Sequence, residues 1–183
     1  MTQVIKAIFY RYSCRDFSPN PLQKEQVEML AKTALAAPSA MNLQPWHVIV
    51  VTDKAMIEEL DADAMSIVKE QGGEFYKRMS ERGGRIFYNA PCLVLIAKDS
   101  TDNASLDTGI ATQNVALAAH DLGLASVICG MARLPLNGPR ASEWAQRLQI
   151  PEGYTFGMSI CVGTPNSGKL PHELDLSKVT YIE

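Results

Sequence analysis

No sign of charge dominates this chain of 183 residues: Lys and Arg number 17, Asp and Glu 20, and the formal net charge is −3. Binding nucleic acid needs a basic surface excess, so DNA and RNA are not expected as partners. No apolar run approaches the ~18 residues of a membrane helix, so no membrane partner is expected either. The opening MTQVIKAIFYR lacks a charged stretch followed by a long apolar one. No secretory signal is expected, and a cytoplasmic location is. Cys14, Cys92, Cys129 and Cys161 form no CxxC, and the last three lie in or beside apolar runs. They read as buried reduced thiols rather than metal ligands. GxGxxG, GxxxxGK[ST] and HExxH are all absent. Gly157-Met158-Ser159-Ile160-Cys161 lacks the second glycine of a nucleophile elbow. His47, His120 and His172 stand apart from one another and from paired acids, so neither a metal site nor a nucleophile is expected.

What is present is ordinary globular material, 46% hydrophobic and 20% charged, with a length that fits about one domain over residues 1–183. Three near-continuous apolar runs, Trp46 to Thr52, Pro91 to Lys98 and Phe156 to Gly163, read as central strands, with Ala125 to Cys129 a fourth. Helical spacing appears over Leu22 to Ala36, Lys54 to Gln71, Glu74 to Tyr88 and Arg140 to Gln149. The segment Ser105 to Leu122 leaves little polar face on a helical wheel, which predicts a buried helix at or near the core of a dimer. Strands alternating with helices give an α/β or α+β sheet domain. Val179-Thr180-Tyr181-Ile182 is a β-prone end that is either frayed or added to a sheet edge.

Two motifs carry chemistry. In Arg11-Tyr12-Ser13-Cys14-Arg15 an extended chain puts Arg11, Ser13 and Arg15 on one side. There the guanidinium forks match phosphate oxygens; the alternative is a solvated patch paired with Asp16. In Pro38-Ser39-Ala40-Met41-Asn42-Leu43-Gln44-Pro45-Trp46, a hydroxyl and two amides sit between prolines. They suit the uracil-like edge of a flavin or a ribityl chain, unless the segment is a stiffened connector.

The ordered set resembles the FMN-dependent nitroreductase family. It comprises RxSxRxF, PSxxNxQPW, the helix LDTGIATQNVALAAHDLGLAS, VICGM, and a late strand ending CVGTP. The resemblance implies an α+β fold, a central mostly antiparallel sheet flanked by helices, and an intertwined homodimer with FMN at the interface. It implies that Arg11, Tyr12, Ser13 and Arg15 hold the phosphate and ribityl end. Asn42 and Gln44 would bond the ribityl or ring edge, and Pro38, Ser39 and Ala40 would line the ring from the partner subunit. Cys129 and Gly130 fall where backbone N–H faces flavin N5, with Gly130 the candidate donor and no catalytic side chain needed. Lys169 falls where a late basic residue meets the phosphate, with His172 competing. Tyr12 and Cys129 depart from residues common in the family at those positions. Gly72 to Gly84 reads as a cap over the substrate pocket or a plain surface helix. The implied reaction is ping-pong oxidoreduction: NADH or NADPH donates, and a nitro compound, quinone or related small acceptor is reduced. A specialised flavin chemistry, dehalogenation or flavin fragmentation, and a non-enzymatic flavin-binding role are the alternatives.

Overall fold

A computed structural model describes residues 1–183. Four antiparallel strands form its sheet, in the order β1-β2-β4-β3. They are β1 (Trp46–Val51), β2 (Cys92–Lys98), β3 (Ala125–Ile128) and β4 (Thr155–Gly163). Register runs Trp46↔Lys98 in β1/β2, Leu93↔Cys161 in β2/β4 and Val127↔Cys161 in β3/β4. Residues Cys92 to Ala97 of β2 are all buried, as the unbroken apolar run predicts for a strand covered on both faces. β1 is instead an edge strand, with His47 exposed. Its apolar run marks the strand correctly but not its place at the rim.

Two hydrophobic layers cover the sheet. On one face α2 (Lys24–Leu35) and α5 (Ala104–Asp121) pack over Cys92, Val94, Ile96, Ile160 and Val162. On the other, α3 (Lys54–Gln71), α4 (Gly73–Glu81), α6 (Arg133–Leu136) and α7 (Ala141–Arg147) enclose Leu93, Leu95, Cys161 and the fully buried Trp144. Arg140 and Arg147 flank the Trp144 ring at 5.2 and 4.5 Å and both meet Glu59 of α3, tying α7 to α3. α5 lies close to β4 because Gly157 has no side chain. A Cβ there would stand 2.7 Å from Ile96 O and 3.1 Å from Thr108 Oγ1.

Several boundaries differ from the sequence expectation. The helix expected over Glu74 to Tyr88 ends at Glu81, because Gly83 and Gly84 turn at φ +90° and +65°. The carboxylate of Asp61 then takes the N–H groups of Ile86 and Phe87 at 2.7 and 2.9 Å, fixing a turn instead. α1 (Gln3–Tyr10) and α6 are additional helices; α1 carries its apolar residues largely exposed, so no core-facing period announces it. The β-prone end joins no strand, and one short helical turn, Leu176–Lys178, precedes it. α5 is apolar but seats only one side on the sheet, leaving Leu106 65% exposed. No helix is long and apolar enough to cross a membrane.

Candidate functional site

Arg11 ends α1 with extended backbone (φ −58°, ψ 142°), and the next residues run alongside β3. Ser13 pairs with Ser126 in parallel, and Cys14 N–H donates to Ser126 O at 3.0 Å. Extended chain alternates its side chains, so Cys14 is buried in the core while Ser13 and Arg15 face away from it. The alternative pairing with Asp16 does not form: the Asp16 carboxylate accepts from Asn166 Nδ2 at 2.8 Å. Arg11 and Arg15 take part in no ion pair. Arg11 Nε is buried without a hydrogen-bond partner. Its side chain lines a small cavity with Ala116, His120, Leu124 and Ser126. Arg15 lies toward the other end of β3, its guanidinium 5.9 Å from the Tyr88 ring centroid. Four extended steps, across three intervening residues, separate the two arginines by roughly 13 Å at Cα. Tyr12 Oη donates to Ser167 O at 2.7 Å, which brings the segment preceding Lys169 to this edge. His172 lies further along an exposed stretch.

The second motif forms a strained loop between α2 and β1. Met41, Asn42 and Gln44 have φ of +50°, +55° and +49°. Left-handed backbone at non-glycine residues costs on the order of 1–3 kcal/mol each, and such strain gathers at functional sites. Local bonds hold it: Ser39 Oγ accepts from Gln44 N–H at 2.9 Å, and Gln44 Nε2 donates to Asn42 Oδ1 at 3.2 Å. Asp107 of α5, buried at 3% exposure, accepts the Ala40 N–H. Nothing in the spacing of LDTGIA distinguishes Asp107 from a surface acid of a helix's first turn, so sequence reasoning missed it.

Beyond β3 comes Cys129, whose N–H donates to Ser159 O at 2.8 Å and whose carbonyl accepts from Ser159 Oγ. That N–H is spent, so of the two expected backbone donors Gly130 remains. Cys129 and Cys161 interact as buried thiols, which draws Cys129 below the ordinary thiol value and, with burial, raises Cys161 above it. All four cysteines are buried and free, as expected. The Asp61-pinned turn abuts this point: Ile86 O lies 3.7 Å from Cys129 Sγ. Tyr88 and Asn89, both at φ +55°, continue it beneath Arg15. Helical periodicity over Glu74 to Tyr88 hides this second strained turn in the sequence.

The chain does not bring its two motifs together. Arg11 to Arg15 run beside β3, and residues 38–44 enter β1, the opposite edge of the sheet. Three strand intervals, roughly 14 Å, lie between these edges. Fold and motifs define a class: an α+β protein with an unpaired cation row on one sheet edge, suited to an anionic ligand, and an amide loop on the other.

The particular family follows from comparison. The chain belongs to the Nitroreductase family, whose profile matches residues 8–164. It superposes on the structure of a nitroreductase with bound FMN from Desulfitobacterium hafniense with a TM-score of 0.96 and 42% identity, covering 100% of both chains. A protein of Archaeoglobus fulgidus named as a candidate NADH dehydrogenase/NAD(P)H nitroreductase is 31% identical over 183 residues, 96% of this chain and 92% of that one. A 5,6-dimethylbenzimidazole synthase of Rhodospirillum rubrum is 27% identical over 175 residues, 88% of this chain and 82% of its own.

Proposed function

We propose that this chain is an FMN-dependent oxidoreductase that takes electrons from NADH or NADPH and reduces a nitro compound, a quinone or a related small acceptor by a ping-pong cycle. The observation that carries the reading is the unpaired cation row, above all the buried, unpartnered Nε of Arg11. A buried guanidinium nitrogen without an acceptor is costly, and a phosphate oxygen would supply one. FMN, when bound, supplies the two-electron hydride chemistry at its N5 atom.

The chain's own residues bind and orient. Arg11 and Ser13, at the Leu124 end of the extended segment, take the phosphate with Lys169, the nearer of the two late basic residues to the Tyr12–Ser167 bond. Arg15, at the Cys129 end, would meet the polar edge of the ring. With the Cys129 N–H taken by Ser159 O, the Gly130 N–H would be the backbone donor to N5, where charge develops. Pro38, Ser39 and Ala40 of the second chain would line the ring, with the Asn42 and Gln44 amides meeting its ribityl or pyrimidine edge.

The separation of the two motifs supports a homodimer with each site shared between chains. An open groove of about 530 Å³ between α1, α2 and α5, lined by Val4, Met29, Leu117 and Leu122, gives such a dimer apolar surface to cover. So do the tail residues Leu170, Tyr181 and Ile182, all more than four-fifths exposed. Gly72 to Gly84, with glycines at positive φ at both ends of α4, would serve as the cap over the acceptor or stand as a plain surface helix.

The test is direct. Acid release and chromatography of the purified protein should yield FMN; NADH or NADPH should bleach it without oxygen, and a nitroarene or quinone should restore the colour. Recovery of FAD, or of no flavin from folded protein, overturns the assignment. The similarity to the 5,6-dimethylbenzimidazole synthase favours one second reading, a specialised chemistry on the same flavin. Bleaching without recovery by either acceptor would select it.

A further inference from the structure

The carboxylate of Asp107 is nearly fully buried and makes no ion pair. A buried charge needs donors, and the donor here is the Ala40 N–H, at 3.4 Å from one oxygen and 3.3 Å from the other. The neighbouring Thr108 seats α5 against Gly157 of β4, so Asp107 projects from a fixed element. The loop's internal bonds, Ser39 to Gln44 and Gln44 to Asn42, shape it without attaching it to the body. We infer that Asp107 is a positioning residue: by accepting the Ala40 N–H, it anchors residues 40–44 to α5 in the left-handed course that presents Asn42 and Gln44 to the ligand. This rests on the flavin reading above.

The experiment compares Asp107→Ala, which removes the acceptor, with Asp107→Asn, which keeps one oxygen. It reads amide exchange at Ala40 in flavin-free protein, then titrates FMN and riboflavin. In Asp107→Ala the Ala40 amide should exchange about tenfold faster, with protection in β2 unchanged. Both flavins should bind about tenfold more weakly at a constant ratio, the scale of one lost bond to a charged group. Asp107→Asn should restore both readouts to within about threefold. Unchanged Ala40 exchange, or loss of FMN with riboflavin unaffected, overturns the inference. So does loss of β2 protection in step with Ala40. If Asp107→Ala fails to fold, Asp107→Ser, too short to reach the Ala40 N–H, takes its place, and the same faster Ala40 exchange and the same loss in both flavins are expected. Should the wild type take up no flavin, the flavin reading fails, while Ala40 exchange still supports or overturns the anchor.

Discussion

At the scale of single residues, Arg11 and Arg15 are alike in sequence and unlike in place. Arg11 sits beside Leu124 and Ser126, Arg15 beside Tyr88. Arg11→Ala should therefore weaken FMN by about thirty- to a thousandfold, the roughly 2–4 kcal/mol of one or two charge-assisted bonds, and leave riboflavin nearly unchanged. Arg15→Ala should weaken both flavins together, because its partner is the ring they share. Parallel fluorescence titrations decide: an Arg15 variant that loses only FMN would return Arg15 to the phosphate. The RxSxR spacing predicts that the arginines share a side. It does not predict that β3 would hold their ends roughly 13 Å apart.

At the scale of elements, the turn joining α4 to β2 hangs on one carboxylate. Asp61 of α3 is buried, and burial raises its pKa above the ordinary value despite the Phe87 and Ile86 N–H groups and Arg85. A carboxyl whose folded pKa is raised binds its proton more tightly in the folded state. Its stabilising contribution is complete below the unfolded pKa of about 3.9 and is lost as pH rises through the folded value. Urea melts across this range should show Asp61→Asn gaining on wild type as pH rises from about 4, then holding a constant difference. A difference independent of pH would mean that the folded state does not raise Asp61. Helix periodicity over Glu74 to Tyr88 hid this turn, because Ile86 and Phe87 continue the apolar pattern while a distant acid, 25 residues earlier, takes their N–H groups.

At the scale of the whole molecule, the two motifs stand on opposite edges of one sheet. If each ligand is held by the cation row of one chain and the amide loop of another, complementation follows. Mixed dimers of Arg11→Ala chains with Asn42→Ala chains carry one doubly altered and one intact site. They should bind one FMN per dimer with wild-type affinity, while either variant alone binds weakly. Two equally weakened sites in the mixed dimer would place both motifs of a site in one chain.

By itself the sequence determined the strands, because short unbroken apolar runs such as CLVLIA, bounded by polar or glycine residues, mark elements drawn out of water, whatever their place in the sheet. It determined the principal helices through their spacing, and the residue types of both motifs. Their order along the chain was enough to suggest the family. Tertiary structure decided what depends on distant partners: β1 at the rim, Asp107 and Asp61 as buried anchors, and Cys129 N–H spent on Ser159. It also decided that the two motifs lie apart. Periodicity reports which face of an element is apolar, and it carries no record of which donor a buried carboxylate will meet or which edge of a sheet a loop will enter.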